Sequence, residues 1–444
     1  MIDRRQVLAG AAALVGASAL GRPSDAWAAG CGSGSGTTGV QALMADLAAN
    51  LPGVNTHINY LGTVYDRSYN SIIKPRLLEL GIRHIRDNPA SDTNITVKNR
   101  YVELARAGIK LLMVTWDTAN CDLDYVKSLN SSGLQVVEAV EPPNERDLAW
   151  GSSMPTQMFS YMRNLYTKYK SDSATKNITI LGPAFANTRD AARNLYSIFS
   201  NSSKYMDVGN VHDYCGRDPE GSFGGGWGIS LSDALDRQKL GSAKPVWASE
   251  NGYKMSNSNT GHPAVTQRAA AKYLPRQFLS HMQRGTPRMY MYQLINNNDE
   301  DFGLLNNNGT PRQQFYAVKN FIRLFSDRGA TFTPGTLKYS LTGNLSGIQQ
   351  VLLQKRSGRF YLAVWQGVQS SRVTTIDSGI GDMEYSRRAL SLQLGLKITA
   401  ATVYEPSFSS ASVKTYTNPA GIASIPLSVP DHLQVIELIP AGCT

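Results

Sequence analysis

Residues 134–145 read LQVVEAVEPPNE. The opening LQVVEAV is apolar and β-branched around one glutamate, the composition of a strand buried on both faces. The polar cluster that follows, with Glu141, two prolines, Asn144 and Glu145, marks the point where such a strand emerges into a loop. Strands covered on both faces belong to parallel sheets flanked by helices, and closed parallel barrels carry their functional groups on the loops after the strands. The stretch therefore frames how its neighbours are read.

Outward from it, strand-like and helix-like segments alternate. GVNTHINY (53–60), IRHIRD (82–87), KLLMVTWD (110–117), LQVVEAV (134–140), ITILGPAF (178–185), MDVGNVHDY (206–214), KPVWASENGY (244–253) and RMYMYQLIN (288–296) read as strands, each followed by a helical pattern. Eight such pairs with no unit left over predict a (β/α)₈ TIM barrel rather than an open doubly wound sheet. After about residue 330 the pattern changes to short alternating runs, GIQQVLLQKR, RFYLAVWQ, ITAATVYEP and HLQVIELIP, separated by Gly, Ser and Asn, which predicts a C-terminal antiparallel β-sandwich. The expected organisation is a signal peptide over 1–28, a linker or helix over 29–50, the barrel over 51–328 and the sandwich over 329–444.

The first residues, with Arg4-Arg5, an apolar stretch from Val7 to Leu20 and Ala26-Trp27-Ala28 as a cleavage site, have the layout of a twin-arginine export signal. This predicts a periplasmic or extracellular protein with no integral membrane segment after signal removal. Export permits disulfides, and Cys31, Cys121, Cys215 and Cys443 leave three pairings open, with unpaired thiols as the alternative. There is no Cys/His spacing for a structural zinc site. The net charge of +10 is compatible with an anionic polysaccharide or cell-surface partner, but Lys and Arg are scattered and carry no nucleic-acid motif. The expected partner is a poly- or oligosaccharide, and the mature chain is expected to act as a monomer.

The ends of the predicted strands supply the candidate site. They offer His57 and Asn59, Arg86 and Asp87, Trp116 and Asp117, Asn144 and Glu145, His212 with Asp213 and Tyr214, Glu250 with Asn251, and Tyr290, Tyr292 and Gln293. Glu145 and Glu250, on strands four and seven, face each other across the barrel mouth. Two carboxyl groups in unlike environments, one protonated and one ionised, are what cleavage of a glycosidic bond requires. Arg86 and Tyr214 suit the ionised member because donors to a carboxylate favour its charged form. Trp116, and Trp227 in GSFGGGWG (221–228), offer faces for sugar rings. Neither metal nor organic cofactor is needed. Glu138 is expected inside the barrel and Glu141 beside the site or in its loop, while Arg86 could equally pair with Asp87 or another barrel carboxylate, and His57 could serve packing as well as sugar contact.

The combination of EPPNERD after strand four, H-x-Y on strand six and WASENGY on strand seven resembles clan A glycoside hydrolases, most of all bacterial relatives of families 39 and 5. YLPRQFLSHMQRGTPRMYMYQLIN and FGLLNNNGTPRQQFYAVKNF are also similar to the end of such barrels, so the resemblance spans roughly residues 50 to 326. It implies a retaining enzyme with Glu145 as acid/base, Glu250 as nucleophile, Asn144 contacting the sugar 2-hydroxyl, Tyr214 and Arg86 partnering the nucleophile and His212 walling the sugar subsite. Many clan members have a tryptophan on strand eight, where this chain has Tyr290, Tyr292 and Gln293. A non-catalytic carbohydrate-binding barrel and a transglycosylase built on the same carboxylate pair remain the alternative readings.

Overall fold

The computed structural model describes residues 39–91, 94–131, 133–186, 203–217, 219, 244–256, 262–296, 301–374 and 379–442. Eight parallel strands form its centre: Pro52–Asn55, His84–Asp87, Lys110–Val114, Val137–Glu141, Thr179–Ile180, Gly209–His212, Val246–Asn251 and Met289–Met291, called here strands one to eight. Their order is five, four, three, two, one, eight, seven, six. A parallel bridge between Leu181 and Val208 then joins strand five to strand six and closes the barrel. The ladders are shorter than the apolar runs imply. GVNTHINY leaves the sheet at Asn55 and MDVGNVHDY is a strand only over Gly209–His212, because beyond these points the chain turns its polar groups toward the barrel mouth.

Alternation along each strand sorts the interior into layers. Near the amino ends His84 meets Glu138 at 2.5 Å, so Glu138 lies inside the barrel. Above them Leu112, Ala139, Leu181, Val208, Trp247 and Tyr290 form an apolar plug. Strand one contributes Gly53 beside this plug, and a Cβ there would overlap the Tyr290 ring. Above the plug come Asn55, Arg86, Glu141, Asn210, His212 and Glu250, all buried and all polar. The opposite strand faces, with Val54, Ile85, Met113, Val140 and Val211, belong to the larger core formed with the helices.

The helix Gln267–Gln283 is buried along its whole middle, polar residues included. On one side it meets the helix Gln313–Phe325, whose Phe321 ring lies 5.2 Å from Phe278. Its polar side faces the second domain. There the strands Tyr339–Gly343, Ile348–Gln354, Phe360–Gln366, Arg388–Tyr404, Ser412–Val429 and Gln434–Pro440 form an antiparallel sandwich. Strand Arg388–Tyr404 pairs with Tyr339–Gly343 through its first half and with Gln434–Pro440 through its second, so a register shift between Gln393 and Ile398 carries it from one layer to the other. Leu352, Leu362, Val364, Ile436 and Leu438 fill the sandwich core. The alternate residues Val351, Leu353, Tyr361, Ala363, Trp365 and Val435 join the barrel's core instead, which explains why FYLAVWQ is apolar on both faces. Ahead of the barrel, Leu43–Met44 adds a parallel edge strand beside Ile348–Gln354.

At the join between domains Lys272 and Asp431 are both buried, with Nζ 2.7 Å from Oδ2. Ser370 Oγ donates to the same carboxylate oxygen at 3.0 Å, and Arg276 donates to the Asp431 carbonyl at 2.8 Å. Lys272 Nζ also lies 3.3 Å from Glu384 Oε2, on a largely exposed side chain, so Asp431→Ala leaves the buried ammonium with only this weaker partner and is expected to cost up to about 3–5 kcal/mol in urea unfolding. A loss below about 1 kcal/mol would show that Glu384 or water suffices for Lys272.

Candidate active site

Strand four ends at Glu141, Pro142 and Pro143 are buried in the turn, and the chain then places Glu145 in the left-handed region at φ 45° and ψ 49°. A non-glycine residue pays of the order of 1–3 kcal/mol to sit there, a cost that the surrounding turn must hold against relaxation. The result aims Glu145 across the barrel mouth at strand seven. On that strand Glu250 precedes Asn251 and Gly252, and a Cβ at Gly252 would overlap the Tyr292 carbonyl oxygen. The glycine in ENGY thus answers to the close approach of strand eight.

Glu250 is 7% exposed and its two oxygens have different partners. Arg86 Nη1 donates to Oε1 at 2.7 Å, and Tyr214 Oη donates to Oε2 at 2.7 Å. His212 Nδ1 lies 3.6 Å from Oε2. Burial alone would raise the Glu250 pKa, but the charges of His212 and Arg86 and the hydrogen bonds from Tyr214 and Arg86 outweigh it and hold the carboxyl below the usual range. Glu145 has a single strong partner, His212 Nδ1 at 2.6 Å from Oε1. Burial lowers the His212 pKa, yet Glu250 and Glu145 together bring it above the ordinary histidine value. His212, set between the two carboxylates, is thus held toward its protonated form.

Arg86 does more than pair with Glu250. Its Nε donates to Glu141 Oε1 at 2.6 Å, Nη1 also reaches Asn55 Oδ1 at 2.8 Å, and Nη2 reaches Asn144 Oδ1 at 2.6 Å. Asn210 Nδ2 completes Glu141 with a bond of 2.8 Å to Oε2. Both alternatives open for Arg86 in the sequence hold at once: it partners Glu250 and it pairs with a second barrel carboxylate, Glu141. Asp87 turns away and accepts from Thr56 Oγ1 and the Ile58 amide, which fixes the loop that carries His57.

Among the described residues the cleft encloses about 380 Å³ and is lined by His57, Tyr60, Arg86, Asn88, Trp116, Asn144, Glu145, Arg146, Tyr214, Glu250, His262, Tyr292 and Phe302. His57 stacks on Tyr60 at 4.7 Å and meets Tyr292 edge-on at 6.0 Å. Burial is the main cause that pushes its pKa down to about 4, so its ring is neutral. Trp116 stands at the rim, 41% exposed, its indole nitrogen tied to the Pro89 carbonyl at 3.0 Å. Tyr292 lines the cleft, whereas Tyr290 is in the plug below it. Asp213 is buried against His281 at 3.2 Å, Asp117 is exposed, and Trp227, Asp299, Cys31 and Cys443 lie outside the described residues. Cys121 and Cys215 are buried thiols.

Glu141, expected beside the site or in its loop, is the last residue of its strand and pairs with Arg86. Asn55, Asn88, Arg146, Asn210, Tyr60, His262 and Phe302 are not among the candidates that the strand ends offer. Asn55 and Asn210 carry a usable signal, a polar side chain inside an otherwise apolar strand, while Phe302 and His262 sit on loops where nothing local marks them. Among the described residues one group offers metal-type donors: Glu145, His212 and Glu250 present ligand atoms that all lie within 4.8 Å of one another. A cation there must displace the proton on His212 and approach the Arg86 guanidinium, so this donor set suits a proton better than a metal ion.

A closed (β/α)₈ barrel followed by a β-sandwich, with two carboxylates at the carboxyl ends of strands four and seven, defines the architecture. The chain matches no protein family and no curated protein in comparison. Solved structures do resemble it. A glucosidase from Croceicoccus marinus is similar over 90% of this chain and 100% of its own, with TM-score 0.58 and 12% identity. A GH30 endoxylanase from Clostridium papyrosolvens covers 91% of this chain and 98% of its own, with TM-score 0.55 and 15% identity. A family 51 α-L-arabinofuranosidase from Bifidobacterium longum covers 90% and 97%, with TM-score 0.53 and 12% identity. At such identities the likeness shows the shared fold, which includes both domains.

Arg86→Met leaves Glu141 and Glu250 buried without their cation, and is expected to lower stability at neutral pH by about 3–5 kcal/mol in urea unfolding. The sign with pH follows from Glu250: a depressed carboxyl pKa stabilises the folded state above the ordinary carboxylate range, and that contribution fades as pH falls. The gap between wild type and Arg86→Met should accordingly narrow on acidification. A gap that widened would contradict the charge assignment.

Proposed function

We propose that the protein is a secreted retaining glycoside hydrolase that cleaves a β-linked poly- or oligosaccharide by double displacement, with Glu250 as nucleophile and Glu145 as acid/base. The observation that carries this reading is the pairing of two carboxyl groups in unlike settings with oxygens within 4.8 Å of each other. Retaining enzymes need their carboxyl groups about 5–5.5 Å apart, whereas inverting ones leave about 6.5–9.5 Å for a water. The close pair favours retention.

The steps follow from the groups present. Glu250, kept ionised by Arg86 and Tyr214, attacks the anomeric carbon while a proton supplied from His212 passes through Glu145 to the departing oxygen. The bond to the leaving sugar breaks as the bond to Glu250 forms. A water then enters, Glu145 takes its proton, and hydroxyl attack releases the sugar from Glu250 with the original configuration. Asn144 gives its oxygen to Arg86, so its amide nitrogen is the donor left for a sugar hydroxyl. Trp116 and Tyr292 supply apolar faces at the rim and wall, and His57 a neutral ring beside them. That the resembling structures are a glucosidase, an endoxylanase and an arabinofuranosidase supports the same reaction class. The twin-arginine pattern of residues 1–28 supports export to the periplasm or beyond.

The test uses purified protein on a panel of aryl glycosides and plant and bacterial polysaccharides, with released sugars identified by mass spectrometry. Glu250→Gln is expected to show no turnover. Glu145→Ala should lose about 10²–10⁴-fold on poor leaving groups and recover with azide on activated ones. Wild-type rates in Glu250→Gln would sink the assignment.

His212 also sets a pH limit. The proton on the Glu145–His212 pair must be present for the first step, and His212 keeps it to a higher pH than a free histidine would. His212→Asn is therefore expected to move the alkaline limb of kcat/KM to lower pH and leave the acid limb, set by Glu250, in place. An unmoved alkaline limb would place the proton elsewhere.

A further inference from the structure

The cleft holds a second arginine that the mechanism does not use. Arg146 follows Glu145 directly and lines the same cavity. Its guanidinium carbon lies 5.4 Å from the centre of the Trp150 ring, and its Nε is buried with no hydrogen-bond partner. No carboxylate among the described residues comes within ion-pair distance of it. The two acids that line the cleft are already engaged, Glu250 by Arg86 and Tyr214 and Glu145 by His212. An arginine set over an aromatic ring, lining a cleft with a buried Nε that has no hydrogen-bond partner and no acid among the described residues to meet it, lacks the partner that a buried guanidinium nitrogen calls for.

Resting on the hydrolase reading, we propose that this partner is a substrate carboxylate: the enzyme acts on an acidic glycan, and Arg146 binds the carboxylate of a hexuronic acid on the leaving-group side. The side follows from position. Glu145 must reach the oxygen of the departing sugar, and Arg146 is its immediate neighbour on the same loop. The planar fork matches a carboxylate in two parallel hydrogen bonds, which a hydroxyl cannot supply. Trp150 holds the guanidinium from behind, so little side-chain freedom is lost on binding. The chain's net charge of +10 adds long-range attraction for a polyanion, although that charge alone names no site.

The experiment is calorimetric titration of the Glu250→Gln protein, which separates binding from turnover. The probes are a β-linked tetrasaccharide with one glucuronate, the same compound with its carboxyl reduced to the alcohol, and that reduced compound carrying a 6-sulfate, an anion of different geometry. The acidic probe is expected to bind at least about 10-fold more tightly than the reduced one at low ionic strength, the size of one charge-assisted contact, and the preference should fall as salt is added. Adding Arg146→Gln should remove the preference, and Arg146→Lys should restore part of it. Equal affinity for acidic and reduced probes, no binding of the acidic probe, a preference that survives Arg146→Gln, or tighter binding of the sulfate than of the carboxylate would overturn the proposal. The two readings fail separately: wild-type turnover in Glu250→Gln removes the hydrolase but not the acid preference, and an inactive Glu250→Gln with no acid preference removes only this inference.

Discussion

One buried guanidinium holds the mouth of the barrel together. Arg86, on strand two, bonds Asn55 on strand one, Glu141 and Asn144 at the end of strand four, and Glu250 on strand seven. Taking a charge out of water costs several kcal/mol unless close partners replace the solvent, and Arg86 is only 6% exposed. Those partners include Glu250 and Asn144, to which the proposed reaction assigns its nucleophile and its sugar contact. The same contacts that make the arginine's burial tolerable keep Glu250 ionised and orient Asn144.

Glu145 depends on that layer indirectly. It makes no bond to Arg86 and instead meets His212 Nδ1 at 2.6 Å, which stands 3.6 Å from Glu250. One carboxylate thus faces a fixed positive charge and the other an imidazole, and the proposed division into nucleophile and acid follows from which neighbour each has. The apolar plug beneath, centred on Trp247 and Tyr290, closes the lower barrel and keeps the polar layer at the open end. The sandwich buttresses the structure from outside, through the helix Gln267–Gln283 and the buried Lys272–Asp431 pair.

Much of this was legible in the sequence because barrel strands announce themselves as apolar runs that end in polar clusters. LQVVEAV followed by EPPNE located Glu145, and VWASENG located Glu250. What was hidden follows from the same rule. Glu141 belongs to the strand rather than the loop, and only the ladder shows that it is the last paired residue, facing Arg86. Asn55 sits in a four-residue strand too short for its pattern to stand out. His262 and Phe302 reach the cleft from loops, so their places depend on long-range packing against Tyr214, at 4.7 and 5.7 Å between ring centres, that no local spacing encodes. Arg146 follows the acid directly, and nothing in EPPNERD separates a cleft-lining arginine from an ordinary loop residue.

In the proposed reaction Glu250 forms a bond to the sugar. The most direct measurement is incubation with activated 2-deoxy-2-fluoro glycosides of any sugars found to be cleaved, followed by digestion and mass spectrometry of the labelled peptide. The expected result is one fluorosugar per protein, attached within VWASENGYK at Glu250. Label on Glu145 or Glu141, or rapid turnover of the parent glycosides with inversion and no trapped intermediate, would contradict it.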